Sequence, residues 1–396
     1  MNEKSEKKID YILLAILFCM SMLSLLAIYS ALPWINSNYS GSTILLKQVI
    51  WHILGYGTLF VLFKMDRDKL ENLVYIFYYI LMFLLLLLII QQKFEFSFLK
   101  KIIVSINGSY CWYTIPKIGT FQPSEFMKIV LIILVPLIIE RHHVNYPINN
   151  LQTDVILVFD ILKLVIPPCI LIYIQPDSGL TLIILFSLVA MLFVSGIKRE
   201  WIVIGVSVVI IIVAIVGIMY LVDPDFVIKY IIGGTYKINR IYGWLYPEKY
   251  ISTYGHQLYT SLLAIGSAGV NGYGIQNVPL YIAESQTDFI FAIIASSFGL
   301  IGALIAWGLS LALDMRLLYI GMRTRKGKNK YIIAGLVGIL AFQQIENMGM
   351  IIGLLPITGI TLPFISAGGS SLLSYMIIFA LVFQMFNDFE KKENNL

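Results

Sequence analysis

The stretch SQTDFIFAIIASSFGLIGALIAW, residues 285–307, joins a polar string to an apolar run long enough to cross a membrane. An acid, Asp288, stands at the junction. Ionisable side chains are tolerated at membrane depth mainly where they face a protein interior or a wet cavity. The junction therefore predicts a membrane-spanning helix with a candidate functional carboxylate at its start. Alternatively, Thr287 and Asp288 only cap this helix, because both satisfy the preferences of a helix start.

The rest of the chain is equally apolar. Of its 396 residues, 59% are hydrophobic and 13% are charged, and the mean hydropathy is +0.84. This is too much apolar surface for a soluble core of that size. About 20 apolar residues of helix cross the hydrocarbon layer with their backbone hydrogen bonds satisfied. We expect an all-α polytopic membrane protein with ten spans, near residues 11–32, 45–63, 73–91, 124–140, 155–174, 178–196, 201–222, 288–313, 331–353 and 368–386.

Basic residues set the expected orientation. Most Lys and Arg residues fall on the side that holds the amino terminus, and the densest run, at 316–330, follows span eight. Because positive charge favours the cytoplasmic side, both termini are expected in the cytoplasm, and 223–287, between spans seven and eight, is expected to be a large extracytoplasmic loop. The first span lacks a small-residue cleavage site and is expected to be retained. The basic run is expected to contact lipid headgroups and not nucleic acid.

Several function classes are excluded by what the sequence lacks. The three cysteines and four histidines have no metal-ligand spacing, and no disulfide framework is expected. There is no Gly-rich phosphate loop and no nucleophile elbow. Since the cytoplasmic connections are also short, ATP hydrolysis on this chain is not expected to drive its activity.

Four polar clusters lie on the outer side or within reach of it. Glu125 and Lys128 are three residues apart, so they share a helix face and could pair, although Pro123 and Ser124 also suit a helix start. The polar residues at 175–179 could have a functional role, but the residue preferences of a tight turn explain them equally well. Gly and Pro between 347 and 371 break a helix at membrane depth, which is admissible where the backbone is covered or faces a cavity. The clusters are 107–112 with 121–125, 175–179, 255–269 with 284–291, and 347–371.

The order and the amino-acid sequences of these clusters resemble those of the SEDS membrane proteins (shape, elongation, division and sporulation), the group of FtsW, RodA and SpoVE. The run from Asn347 to Ser371 and the string Thr287-Asp288-Phe289-Ile290-Phe291 carry the resemblance, which covers nearly the whole chain. It implies a single ten-helix domain over 1–396 in the bacterial cytoplasmic membrane. It also implies polymerisation of lipid II into glycan strands beside a class B penicillin-binding protein, with Asp288 at the position of the family's essential acid.

Glycan polymerisation needs a base for a sugar hydroxyl and positive charge for a leaving undecaprenyl pyrophosphate. Asp288 is the expected base, because desolvation at a low-dielectric boundary raises the pKa of a carboxyl. The pyrophosphate is expected to meet Lys237 and Arg240 or, alternatively, a divalent cation, and no metal-ligand set is predicted in the protein. The full set of expected substrate-binding residues is Glu284, Thr287, Gln257, Lys237, Arg240, Trp112, Glu125, Lys128, Asn347, Ser366 and Ser370.

The chain departs from the family pattern at several polar positions. A basic residue and paired acids are among the groups replaced, and the substituted positions are Cys111, Tyr273, Ala283, Gln286, Ser296 and Ser297. Two other functions therefore stay open beside the glycosyltransferase. One is a flippase for the lipid-linked precursor, and the other is an inactive paralogue that positions a transpeptidase. A role in division, elongation or sporulation is not distinguished.

Overall fold

The computed structural model describes residues 8–35, 41–105, 109–115, 119–148, 150–227, 230, 235–324 and 327–393. The fold is built from helices with one small antiparallel hairpin, in which β1 (Tyr113–Ile115) pairs with β2 (Gly119–Phe121). The helices are α1 Tyr11–Ala31, α2 Gly41–Lys64, α3 Arg67–Phe94, α4 Pro123–Asn145, α5 Leu151–Ile174, α6 Ser178–Val194, α7 Arg199–Val222, α8 Pro224–Phe226, α9 Thr235–Leu245, α10 His256–Ala268, α11 Ile290–Arg323, α12 Gly327–Ile351 and α13 Gly369–Glu393.

The expected class, an all-α polytopic membrane protein, is confirmed. Eight of the described helices are long and apolar enough to cross a membrane, namely α1, α2, α3, α5, α7, α11, α12 and α13. Helix α6 is apolar but is shorter, with 17 residues. Helix α4 differs from the eight in carrying four charged residues, Glu125, Lys128, Glu140 and Arg141. The count of ten crossings stays a prediction.

Helix α12 lies at the centre of the bundle, against α4, α6 and α11, while α13 packs on α2 and α1 packs on α11. Small residues let α12 and α6 approach closely, because a Cβ added at Gly338 would lie 2.8 Å from Ala190 Cβ. At the other extreme, no described side chain of α7 is buried. The core therefore collects around α12, and it is α12 that carries buried polar side chains towards one end of the bundle.

Residues near the two ends of the chain lie close together at one end of the bundle. Lys8 Nζ lies 3.3 Å from Glu390 Oε2, in the last turn of α13. Asp10 caps α1 by accepting from the backbone of Leu13, and the guanidinium of Arg316, near the end of α11, donates to both its carboxylate oxygens at 2.9 Å. The closeness of Lys8 and Glu390 fits an even number of crossings between them.

The described parts of the segment 223–287 contain three helices, α8, α9 and α10, where the sequence predicted a loop. Helix α10 buries Leu258 and Ala264, and Ser261 Oγ donates to the carbonyl of Ile351 at 3.2 Å. The segment thereby forms a cap against the end of α12.

Helix α11 is broken at Gly299, where φ is +64° and ψ is −157°. The amides of Leu300 and Ile301 donate instead to the carbonyls of Gly269 and Val270, at 3.1 and 3.3 Å. A Cβ at Gly299 would lie 2.3 Å from the Val270 carbonyl oxygen, so glycine is required for this close approach. The span expected as one helix from 288 is therefore a short buried piece followed by a longer one that ends at Arg323.

Candidate active site

Asp288 is held at the end of a tight turn that precedes α11. The amides of Thr287 and Phe289 both donate to the carbonyl of Glu284, at 3.1 and 3.2 Å. Phe289 and Ile290 follow directly and are buried, with at most 1% of their surface exposed. The turn and these two apolar anchors fix the backbone on either side of the Asp288 carboxylate, which remains half-buried.

Burial and a neighbouring charge raise the pKa of Asp288 to about 7. Desolvation is the larger cause, and the charge of Glu284, four residues earlier, adds to it. The guanidinium of Arg240 acts in the opposite direction. A carboxyl with this pKa is a far better proton acceptor than an exposed aspartate and is still ionised in part at neutral pH.

The segment between α12 and α13 closes over one side of Asp288. Gly359 has φ +80°, and a Cβ added there would lie 3.2 Å from Asp288 Oδ2. Only glycine combines that left-handed backbone with so close an approach at little cost. The Gly and Pro residues that predicted a helix break between 347 and 371 thus form a wall of the candidate site.

Asn347 and Ser366 bind the backbone on both sides of this wall. Asn347 is fully buried, and its Nδ2 donates to the carbonyls of Asp288 and Ile360, both at 2.7 Å. Ser366 Oγ donates to the Thr287 carbonyl and accepts from the Leu362 amide, each at 2.8 Å. Both side chains were expected to bind substrate, but the structure uses their polar groups to position the backbone around Asp288.

Arg240 contacts the same segment from α9. Its Nη1 donates to the carbonyls of Ile357 and Thr358, at 3.4 and 3.2 Å. Thr358 Oγ1 in turn donates to Glu346 Oε1 at 2.9 Å. Glu346 is 6% exposed and was missed in the sequence, although an acid inside a span is itself a signal of function or of a buried network.

Glu284 and Thr287 complete the group at its exposed edge. Thr287 Oγ1 donates to Glu284 Oε2 at 3.1 Å. The hydrogen bond orients the exposed carboxylate of Glu284, whose charge acts on Asp288. Six of the expected site residues are thus brought together: Glu284, Thr287, Asp288, Arg240, Asn347 and Ser366.

A second polar cluster lies between α4, α12 and α13. Lys128 is fully buried and lies 2.5 Å from Glu125, so the expected pairing of these two residues is observed. Lys128 Nζ also donates to Tyr375 Oη at 3.0 Å, and Tyr375 Oη donates to Gln343. Gln343 was also missed in the sequence, where it stands within an apolar span.

Gln122 connects this cluster to the hairpin and to the start of α6. Its side-chain oxygen accepts from Trp112 Nε1 at 3.1 Å, and its side-chain nitrogen donates to Asp177 at 2.9 Å. The backbone amide of Gln122 donates to Ser370 Oγ at 3.1 Å. Burial raises the pKa of Asp177 to about 6, against the hydrogen bond from the Leu180 amide. Asp177 was interpreted in the sequence as a possible turn residue, and it caps α6 as well as joining this network.

One stretch of chain lies near both clusters. A Cβ added at Gly179, two residues after Asp177, would lie 3.2 Å from Ile360 Cγ1, and a Cβ added at Gly359 would lie 3.2 Å from Asp288 Oδ2. Gly359 and Ile360 are therefore close to both clusters. Two other expected residues are not placed in either cluster: Gln257 lies in the first turn of α10, and the Lys237 side chain is outside the described part of α9.

Three of the positions that depart from the family pattern lie together at the break in α11. The amide of Tyr273 donates to the Ser296 carbonyl at 2.9 Å, and that of Gly274 donates to Ser297. The hydroxyls of Ser296 and Ser297 are buried. These three substituted positions therefore lie at the break in α11 and not in the turn that carries Asp288.

The sequence matches the family model described as cell cycle protein (FtsW, RodA, SpoVE) over residues 10–391. The probable peptidoglycan glycosyltransferase FtsW of Lactococcus lactis is 32% identical over 73% of this chain and 71% of the relative. The peptidoglycan glycosyltransferase MrdB of Escherichia coli is 33% identical over 66% of this chain and 67% of the relative. Stage V sporulation protein E of Bacillus subtilis is 31% identical over 67% and 68%.

Solved structures share the fold. A chain of a peptidoglycan synthase complex matches with a TM-score of 0.74 at 24% identity, covering 96% of this chain and 98% of that one. The rod shape determining protein RodA of Thermus thermophilus matches with a TM-score of 0.65 at 23% identity, over 98% and 99% of the two chains. With its apolar spans and the family match over nearly its whole length, the chain belongs to the FtsW/RodA/SpoVE family of multi-pass proteins of the cytoplasmic membrane.

Proposed function

We propose that this protein is a peptidoglycan glycosyltransferase that polymerises lipid II at the outer face of the cytoplasmic membrane, with Asp288 as general base. One observation carries the proposal most directly. Asp288 is half-buried beside Glu284, and its pKa is raised to about 7, as a base acting at neutral pH requires. The names of the relatives, peptidoglycan glycosyltransferases FtsW and MrdB, supply the reaction class.

In the proposed reaction, Asp288 accepts the proton of the 4-hydroxyl of one lipid-linked disaccharide. The hydroxyl oxygen forms a bond to the anomeric carbon of a second one, and the bond from that carbon to the diphosphate breaks. The electron pair leaves with undecaprenyl pyrophosphate. General-base assistance of this kind typically contributes 10² to 10⁴-fold to the rate.

Arg240 is the proposed source of positive charge for the leaving diphosphate. Its charge acts on Asp288, and the planar fork of guanidinium donors matches the geometry of phosphate oxygens. A divalent cation is the second candidate. The described residues contain no group of three or more His, Cys, Asp or Glu that could hold a metal, so EDTA inhibition would point to a cation bound by the diphosphate.

The proposed partner is a class B penicillin-binding protein that crosslinks the new strand. The support is the shared fold with a chain from a complex described as coordinating polymerization and crosslinking. Polymerisation should therefore be assayed with the purified protein both alone and with its cognate transpeptidase.

The test uses fluorescent lipid II with the wild type, Asp288→Asn and the matched control Asp223→Asn, which removes an exposed acid at the outer end of α7. We expect polymer from the wild type and the control but not from Asp288→Asn. Polymer from Asp288→Asn at the wild-type rate would reject the assigned base. If the wild type makes none, translocation of labelled lipid II in reconstituted vesicles would indicate a flippase, and its absence would favour a scaffold.

A further inference from the structure

A band of exposed apolar side chains follows the outer end of α3. Phe94, Phe96 and Phe98 are 62%, 43% and 69% exposed, and the Phe96 ring lies against the other two with centroid distances of 6.0 and 5.8 Å. Ile102 and Val104 continue the band and are each more than 40% exposed. We name residues 94–104 the aromatic segment. Five large apolar side chains so close together are unfavourable in water.

The aromatic segment is held in a defined conformation. The amide of Lys100 donates to the Phe96 carbonyl at 3.2 Å, and that of Ile103 donates to Leu99 at 2.7 Å. Ile103 is buried and pairs with Tyr113, the first residue of β1. The rings are therefore presented outwards by ordered backbone, with Ile103 as the inward anchor.

Its depth follows from contacts with α3. Tyr113 Oη donates to the Leu84 carbonyl at 2.8 Å, ten residues before Phe94. Ten residues of helix rise about 15 Å, which is longer than a tyrosine side chain, so the backbone at Tyr113 lies below the end of α3. Because Ile103 pairs with Tyr113, the aromatic segment turns back beside the last turns of the span.

The chemistry of the segment fits the boundary between hydrocarbon and headgroups. The apolar run of α3 ends at Ile90, and α3 exposes Phe83 and Leu86 below it, as a lipid-facing helix does. Aromatic rings concentrate at this level of membrane proteins, while lysines extend their ammonium groups to the headgroups. The three lysines Lys93, Lys100 and Lys101 outnumber the acid Glu95, so the net charge here is positive. Glu95 accepts a hydrogen bond from Lys100 at 2.8 Å.

We propose that the aromatic segment is an interfacial anchor that inserts its rings into the outer leaflet and places its lysines among anionic headgroups. The partner is the lipid surface itself, and the proposal is independent of the catalytic role of Asp288. Buried apolar area together with attraction to anionic lipid is the combination that holds amphipathic segments at a membrane surface.

The test measures the depth of a nitroxide label at Phe98→Cys in the full chain. The background carries Cys19→Ala, since Cys19 is exposed while Cys111 and Cys169 are buried, and labelling of that background measures their residual reactivity. Leu86→Cys, on the exposed face of α3, is the lipid reference, and Ser252→Cys, exposed in the outer segment, is the water reference. Collisions with oxygen and with a water-soluble nickel chelate are compared in phosphatidylcholine vesicles with and without phosphatidylglycerol.

We expect severalfold lower nickel accessibility at Phe98 than at Ser252, with oxygen accessibility approaching that at Leu86. Phosphatidylglycerol should deepen the label, and Lys100→Glu with Lys101→Glu should remove that increment. Nickel accessibility equal to that at Ser252 would overturn the anchor. Protection from both reagents would also overturn it, because protein and not lipid would then cover the rings. An unchanged depth with phosphatidylglycerol would overturn the preference for anionic lipid.

Discussion

Asn347 Nδ2 lies 2.7 Å from the carbonyl oxygen of Asp288, and the same amide nitrogen binds the Ile360 carbonyl. A buried side chain of α12 thereby fixes both the turn that carries the proposed base and the wall opposite it. The wall and the base are positioned by one residue, so a change at Asn347 should affect activity and stability together.

Asn347→Leu should leave two buried carbonyls without a donor. Each unsatisfied buried group costs about 1–3 kcal/mol of the free energy of unfolding, and displacement of Asp288 should lower kcat for polymerisation. Asn329→Leu is the control, because Asn329 is also buried and accepts from Arg67 at the opposite end of α12. Comparable losses of activity per folded molecule in both variants would contradict a specific role for Asn347.

Gly359→Ala should reduce turnover by pushing on the base. The added Cβ would lie 3.2 Å from Asp288 Oδ2, and alanine at φ +80° costs about 1–2 kcal/mol of conformational energy. Gly353→Ala is a matched control, since Gly353 has φ +79° and its Cβ would meet Leu262 at 3.7 Å. We expect similar shifts in thermal unfolding and a loss of polymerisation in Gly359→Ala only. Equal activities would show that the contact with Asp288 is unimportant.

Lys128→Met should be strongly destabilising, because Glu125 would remain as a buried charge without its partner. Breaking a buried ion pair on one side typically costs about 3–5 kcal/mol. The double variant Glu125→Gln/Lys128→Met should recover much of that loss, as measured by denaturant unfolding in detergent. If the double variant were no more stable than Lys128→Met, the pair would not be the reason for the loss.

The raised pKa of Asp288 also has a consequence for stability. An acid that is harder to ionise in the folded state favours folding when protonated, so its contribution is lost as the pH rises from the unfolded pKa towards about 7. Asp288→Asn cannot ionise. The melting temperature of the variant relative to wild type should therefore increase between about pH 4 and about pH 7 and level off above that. A constant difference across that range would contradict the raised pKa.

The spans were predictable because their signal is local. The expected span at 11–32 corresponds to α1, Tyr11–Ala31, and that at 155–174 lies within α5, Leu151–Ile174. Length and hydropathy define such helices without reference to the rest of the chain. The break in α11 was not predicted, because 290–301 reads as a continuous apolar helix and the backbone of 269–274, distant in sequence, replaces its hydrogen bonds.

The candidate site was predictable in its parts but not in its grouping. Glu125 and Lys128 were paired by helical spacing, and Asp288 was singled out by its place at a span boundary. That Asn347 and Ser366 would bind backbone near Asp288 depends on how the segment between α12 and α13 folds back. The spacing of residues in the sequence does not show where this segment folds back.

The measurement that tests the central claim most directly is the pH dependence of kcat/KM for lipid II polymerisation. With Asp288 as the base, the rate should rise with pH to a plateau, with its midpoint near the Asp288 pKa of about 7. Glu284→Gln should move the midpoint to lower pH, because the charge of Glu284 raises that pKa, and Asp288→Asn should remove the ionisation with about 10² to 10⁴-fold loss. A midpoint unchanged in Glu284→Gln, or a full rate in Asp288→Asn, would contradict the assignment.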